Sequence, residues 1–80
     1  MKSSPNQDPY LVRRRRVQTG LTQGELAVRA EISQSYMSML ERGHASASAP
    51  VLKRLADVLG CEIAELMPPL SAPRVVGAAA

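Results

Sequence analysis

The sequence predicts an all-α fold, a compact domain of five short helices joined by tight connections. Apolar residues recur at helical spacing, most clearly at Leu52, Leu55, Ala56 and Leu59, which follow the i, i+3, i+4, i+7 pattern of a buried helix face. Capping residues and glycines divide the chain into segments of helical length. Residues 8–67 contain no alternating pattern typical of a strand, so the fold class rests on helices alone.

The first predicted helix runs from about Pro9 to Thr19. Asp8 precedes it and can accept backbone N–H groups of the first turn, as an N-cap residue does. Proline is favoured at the first helical position, because the N–H that it lacks has no partner there. Gly20 follows the last turn and is predicted to end the helix.

The second predicted helix runs from about Gln23 to Ala30. Thr22 and Glu25 have the spacing of a capping box, in which the hydroxyl accepts the Glu25 N–H and the carboxylate accepts the Thr22 N–H. Gly24 lies inside this helix, where glycine is less favourable than alanine by up to about 1 kcal/mol. The residues expected to face inward are Leu26, Ala27 and Ala30.

A third helix is predicted from about Gln34 to Arg42, with Ser33 as its N-cap and Gly43 after its end. Its buried side is expected to consist of Met37 and Leu40, together with the nearby Ile32. With this side held inward, the opposite face of the helix is free to project from the domain.

Two more helices are predicted in the second half of the chain. Ser48 is the expected N-cap of the fourth, and Pro50 is tolerated in its first turn because the N–H there would have no helical partner. Gly60 ends it. A short fifth helix follows, until two prolines at positions 68 and 69 prevent its continuation. Its apolar residues are Ile63, Leu66 and Met67.

Length and composition allow one small domain with an aliphatic core. The 80 residues are 45% hydrophobic but include no Phe or Trp. A chain of this size buries only about 60% of its unfolded surface, so a large catalytic cleft is not expected. The predicted domain covers residues 8–67, between a flexible N-terminal arm at residues 1–7 and a flexible C-terminal tail at residues 68–80.

The chain offers no combination of side chains typical of an enzyme or a metal site. A single Cys61 and a single His44 cannot form an internal disulfide or supply a zinc site. No apolar run approaches the roughly 18 residues that cross a bilayer, and the first ten residues lack the apolar segment of a secretory signal. We therefore expect no enzymatic activity, cofactor, metal, small-molecule substrate or membrane partner, and a cytoplasmic location.

The net charge of +3 is concentrated near the N-terminus. Residues 1–30 hold six basic and two acidic residues, whereas residues 31–60 are balanced and residues 61–80 are slightly acidic. This distribution favours a polyanionic partner. The run Arg13–Arg16 cannot form one binding surface, because consecutive residues of a helix point in different directions.

Twenty residues in the middle of the chain, QGELAVRAEISQSYMSMLER from Gln23 to Arg42, resemble the helix-turn-helix of the phage-repressor, Cro and Xre-like DNA-binding family. With the flanking segments, the resemblance covers about sixty of the eighty residues. It implies a lambda-repressor-like fold and a sequence-specific transcriptional regulator that binds double-stranded DNA. It further implies that the helix at residues 34–42 enters the major groove, and that a homodimer binds a pseudo-palindromic operator.

The resemblance puts Gln34, Ser35, Ser38 and Met39 at positions that face base edges. A glutamine can form two hydrogen bonds to adenine, worth about 1–3 kcal/mol of discrimination, and an apolar side chain can touch a thymine methyl group. The alternative is that these residues simply form the solvent-facing side of the helix.

Three further residues are candidates for DNA contacts, each with a structural alternative. Gln23 can meet a phosphate at the start of the second helix, or only continue that helix. Tyr36 can donate its hydroxyl to a phosphate, or cover the edge of the core. Arg42 can bind a phosphate, or interact with the C-terminal dipole of its helix. The resemblance also implies an ion pair between Arg16 and Glu41, which makes Arg16 structural.

The sequence departs from the family pattern at three places. Glu31 stands in the turn between the two helices, where the family usually has glycine and a positive φ costs other residues about 1–2 kcal/mol. The loop after Gly43 lacks the Lys and Arg that relatives use on phosphates, and Ala47 stands where the family often has proline. This loop and the apolar C-terminal tail favour an alternative function, an antitoxin-like or protein-interaction module with a protein partner.

Overall fold

A computed structural model describes residues 4–69. No strand occurs in this range, so the predicted all-α class is confirmed. Residues 1–3 and 70–80, which include most of the predicted C-terminal tail, lie outside the described residues. No helix in the described part of the chain has the length and apolar character needed to cross a membrane. The helices are Pro9–Thr19 (α1), Gln23–Arg29 (α2), Gln34–Arg42 (α3), Ala49–Leu59 (α4) and a 3-10 helix at Ile63–Leu66.

The last element differs from the sequence prediction. The bounds of α1 and α3 agree with those predicted, and α2 ends one residue early, with Ala30 as its C-cap. The predicted fifth α-helix is wrong, because only a single 3-10 turn forms and Met67 is extended (φ −103°, ψ 157°). Pro68 accounts for this, since a proline disfavours the α conformation in the residue before it. The segment left after Gly60 is too short for a stable α-helix.

Each α-helix begins at a residue whose side chain accepts a backbone N–H of the first turn. The capping box of α2 is complete, with the Glu25 N–H 3.0 Å from the Thr22 hydroxyl and the Thr22 N–H 2.8 Å from the Glu25 carboxylate. These local hydrogen bonds explain why the helix starts could be predicted from sequence. The four N-cap residues are Asp8, Thr22, Ser33 and Ser48.

The capping box makes part of the stability dependent on pH. Hydrogen bonds with Thr22 hold the pKa of Glu25 below its ordinary value of 4.5. A lowered carboxyl pKa stabilises the fold above the ordinary value, and this contribution is lost as the pH falls through the lowered pKa. We therefore expect the wild-type chain to have a higher free energy of unfolding than Glu25→Gln near neutral pH. The difference between the two proteins should become smaller below pH 4.5.

Denaturant unfolding of both proteins between about pH 3 and pH 7 measures this margin. Glutamine is the matched replacement, because its side-chain oxygen can still accept the Thr22 N–H without carrying a charge. A margin that stays constant over the whole range would contradict the role of the charged carboxylate.

The core is aliphatic, as predicted. Helix α3 packs against α1 and α2, while α4 closes the other side through contacts with α1, α2 and the 3-10 helix. Ile32, predicted as an interior residue, is only partly buried at the edge of the core. The buried apolar residues are Val12, Leu21, Leu26, Ala27, Ala30, Met37, Leu40, Ala47, Val51, Leu52, Leu55, Ala56, Leu59 and Leu66.

The segment before α1 is attached to the domain through Gln7, although the sequence predicts a flexible arm at residues 1–7. The side chain of Gln7 is fully buried. Its amide donates to the carbonyl oxygens of Leu40 (3.0 Å) and Ala45 (2.9 Å), and its oxygen accepts the N–H of Ala47 at 2.8 Å. The folded domain therefore begins before Asp8.

The loop between α3 and α4 is held by the same segment. The backbone N–H of Asn6 donates to the hydroxyl of Ser46 at 2.9 Å, and its side-chain amide donates to the carbonyl of Ala47 at 2.9 Å. The N–H of Ala47 is used by Gln7. A proline at position 47 would lack this N–H, so the departure from the family pattern serves the attachment of the N-terminal segment.

Candidate nucleic-acid interface

The turn between α2 and α3 fixes how α3 stands on the domain. Ala27 is 2% exposed where the two helices meet, and its small side chain allows their close approach. Glu31 adopts φ 61°, which confirms the positive φ expected in this turn. Nε of Arg54, on α4, donates to the carbonyl oxygen of Ala30 at 2.8 Å and so holds the end of α2.

Six of the seven predicted contact residues line one shallow depression of about 520 Å³, which we call the α2–α3 surface. Within it, Gln34, Ser35, Met39 and Arg42 are exposed. Gln23 and Ser38 are half-buried. The opposite side of α3 carries Met37 and Leu40, both fully buried. The α2–α3 surface is lined by Gln23, Gln34, Ser35, Ser38, Met39 and Arg42.

Tyr36 is the predicted contact residue that the structure does not bring into this group. Its ring is half-buried and packs against the core. Its hydroxyl donates a hydrogen bond to the carbonyl oxygen of Ser46 at 3.1 Å. The proton that would bind a phosphate is therefore used within the chain, which favours the structural alternative for this residue.

Below the α2–α3 surface lies a hydrogen-bonded network centred on Glu41. Its carboxylate accepts Nε of Arg16 at 2.6 Å and Nη2 at 3.0 Å, which confirms the predicted ion pair. The two side chains are 13% and 3% exposed, and the hydrogen bond with Glu41 raises the pKa of the Arg16 guanidinium. Nη1 of Arg16 donates to the carbonyl oxygen of Leu21 at 2.9 Å.

Gln23 belongs to the same network, which was not predicted. Its Nε2 donates to Oε1 of Glu41 at 3.0 Å. One N–H and the side-chain oxygen of Gln23 remain for other partners at the start of α2. The two residues are separated by 18 positions, and no local sequence pattern connects them.

The arginine run divides between different surroundings, as the helical geometry predicts. Arg16 lies in the Glu41 network, and Arg15 pairs with Glu65 of the 3-10 helix. Arg13 and Arg14 are exposed. The run is therefore not a single binding patch.

The chemistry of the α2–α3 surface suits the reading of base edges. Two carboxamides and two hydroxyls supply both donors and acceptors, and Met39, 38% exposed, supplies an apolar contact. Among the residues that line this surface, Arg42 is the one cation. The surface therefore offers hydrogen bonds and an apolar contact, and little positive charge to neutralise phosphates.

Comparison with known proteins connects this geometry to a family. The family model described as helix-turn-helix matches residues 12–66. An uncharacterized HTH-type transcriptional regulator, y4dJ of Sinorhizobium fredii, is 43% identical over 56 residues, which cover 70% of this chain and 73% of that protein.

Two solved regulators have the same fold. The restriction-modification controller protein C.AhdI from Aeromonas hydrophila superposes with a TM-score of 0.71 at 32% identity, over 74% of this chain and 89% of that chain. The clp gene regulator ClgR from Corynebacterium glutamicum gives a TM-score of 0.69 at 33% identity over 71% of this chain. This second match spans 61% of the ClgR chain, less than two thirds of its length.

The fold also occurs as part of a larger enzyme. The hydroxypropylphosphonic acid epoxidase from S. wedmorenis superposes with a TM-score of 0.77 at 26% identity, over 89% of this chain but 38% of the enzyme chain. Among residues 4–69, no three His, Cys, Asp or Glu side chains form a group that could hold a metal ion. The helix-turn-helix match spans well over half of the sequence. The chain therefore belongs to the helix-turn-helix family of DNA-binding transcriptional regulators, of the phage-repressor, Cro and Xre-like type.

Proposed function

We propose that the chain recognises a specific DNA sequence by inserting α3 into the major groove. The observation that carries this proposal is the grouping of Gln34, Ser35, Ser38 and Met39 on one exposed surface, opposite the buried side of α3. A major groove about 12 Å wide admits an α-helix, and the N-terminal residues of a recognition helix lie nearest the bases.

Each residue of the α2–α3 surface has a role that follows from its chemistry. Gln34, at the first position of α3, binds an adenine through both ends of its carboxamide. Ser35 and Ser38 donate to or accept from neighbouring base edges, and Met39 contacts a thymine methyl group. Arg42 binds a phosphate at the other end of the helix, where it fixes position without reading sequence.

Gln23 is proposed to bind a phosphate from a position that Glu41 holds. Its second N–H is not used by the hydrogen bond to Glu41. A contact from the start of α2 would fix the register of α3 on the duplex.

Specific recognition by so small a surface calls for two copies of the chain. One recognition helix contacts too few base pairs to select a site in a genome. We therefore propose a homodimer on a pseudo-palindromic operator, with the two α3 helices about 34 Å apart in successive major grooves. Occupation of such an operator would regulate transcription, and we place this activity in the cytoplasm.

Selection of bound fragments from a random pool of DNA duplexes tests this proposal. We expect an enriched motif made of two inverted half-sites, with centres separated by about 10–11 base pairs. Failure to enrich any motif at moderate salt would overturn the proposal.

Gln34→Ala is expected to relax the base preference at one position of each half-site. The expected loss of discrimination is about 1–3 kcal/mol, whereas thermal stability should stay nearly unchanged because the side chain is exposed. Binding titrations with the selected sequence and its single-base variants measure the loss. Gln18→Ala, the same truncation at an exposed position of α1, is the control. A uniform loss of affinity on specific and random DNA would count against base recognition.

A second candidate function is a module that acts through a protein partner. Tyr10 and Val17 favour it, because these apolar side chains of α1 are 64% and 59% exposed. Co-purification of a stoichiometric protein, together with no salt-sensitive binding to DNA, would select this candidate over the first.

A further inference from the structure

Gly24 lies at the second position of α2, inside a helix, where glycine is the least favourable residue after proline. The position has no left-handed backbone that would require glycine. Its surroundings limit the size of the side chain that fits at this position. A Cβ at this position would be 3.4 Å from Oε1 and 3.7 Å from Cδ of Gln34. The carboxamide of Gln34 therefore lies next to the space that a side chain at position 24 would occupy.

Gln34 lies between two depressions of the surface. One is the α2–α3 surface, and the other follows the outer side of α2, where Gly24, Val28 and Ile32 are among the lining residues. Within residues 4–69 the carboxamide of Gln34 makes no hydrogen bond. No hydrogen bond within this range therefore fixes the carboxamide, and the size of the side chain at position 24 limits where it can lie.

We propose that Gly24 is a specificity-determining residue, which acts by leaving space for the Gln34 carboxamide. This inference rests on the proposed function, because it assigns a positioning role behind the base contact of Gln34. Gly24 itself touches no base. It sets where Oε1 and Nε2 of Gln34 lie, and a glutamine reads adenine only when both atoms reach the base edge together.

The size of the residue at position 24 is the variable that tests this role. Alanine adds a Cβ at an ordinary contact distance from Gln34, so the carboxamide can stay in place. Valine adds two further carbons and is stiff about χ1, so it has little freedom to turn both of them away from Gln34. Valine is also no worse than glycine within a helix, so a loss of folding is not expected.

The experiment compares Gly24→Ala and Gly24→Val, each with Gln34 present and in the Gln34→Ala background. DNA selection and titration with single-base variants are performed on all of them, and melting temperatures are measured in parallel. We expect Gly24→Ala to keep the wild-type motif. We expect Gly24→Val to lose about tenfold in discrimination at the single position read by Gln34, within the range of one bidentate contact. In the Gln34→Ala background, Gly24→Val should cause no further loss.

The inference would be overturned if Gly24→Val left the selected motif unchanged or lost discrimination equally at all base positions. It would also be overturned if Gly24→Val caused the same loss of discrimination in the Gln34→Ala background. If Gly24→Val lowers the melting temperature, Gly24→Leu is the second variant, because leucine is large and is a better helix former than valine. The same outcomes then decide the test. If the wild-type chain enriches no motif, the proposed function itself fails, which is distinguishable from a wild-type motif that is insensitive to position 24.

Discussion

Arg16→Ala is expected to lower the free energy of unfolding by about 3 kcal/mol or more. The substitution removes both hydrogen bonds from Arg16 to Glu41 and the one to the carbonyl of Leu21. The carboxylate of Glu41 is 3% exposed, so it would keep a buried charge with only Gln23 as a partner. For a domain of this size the loss corresponds to a fall of at least about 12 °C in melting temperature.

Arg15→Ala is the matched control, since it removes the neighbouring arginine of the same helix. Its partner Glu65 is 43% exposed, so solvent screens the pair and the loss should stay below about 1 kcal/mol. Thermal and denaturant unfolding of both variants measure the difference. Similar melting temperatures for the two variants would show that the Arg16–Glu41 pair does not hold α1 against α3.

Gln7→Met is expected to lower the free energy of unfolding by about 2–4 kcal/mol. Methionine keeps roughly the volume of the buried side chain but can neither donate nor accept its three hydrogen bonds. The carbonyl of Leu40 retains the N–H of Gly43 as a partner. The carbonyl of Ala45 and the N–H of Ala47 lose their hydrogen bonds with Gln7. An unpaired buried polar group costs about 1–3 kcal/mol.

Gln18→Met provides the comparison, because Gln18 is an exposed glutamine on α1 and the same replacement should change stability by less than about 0.5 kcal/mol. Chemical denaturation of the wild-type chain and both variants gives the values. Equal stability of Gln7→Met and the wild-type chain would mean that residues before Asp8 do not contribute to the fold. A loss confined to Gln7→Met would establish that they do.

Helical periodicity predicted which side of α3 is buried and which side is exposed. Met37 and Leu40 mark the inner side of α3, so the opposite side had to be exposed. The structure brings Gln23 and five residues of α3 into one surface. Tyr36 stays outside it because the partner of its hydroxyl, the carbonyl of Ser46, lies on a loop ten residues away. That these residues contact DNA remains a prediction.

The sequence by itself determined the all-α class, the starts of the four α-helices and the exposed side of α3. These features depend on caps, glycines and apolar spacing within a few residues of each other. The tertiary structure alone decided three other features: the burial of Gln7 against the α3–α4 loop, the hydrogen bond from Gln23 to Glu41, and the position of Gln34 beside Gly24. Each joins residues 10 to 40 positions apart. Their hydrogen bonds and contacts depend on how the helices pack, which no local pattern records.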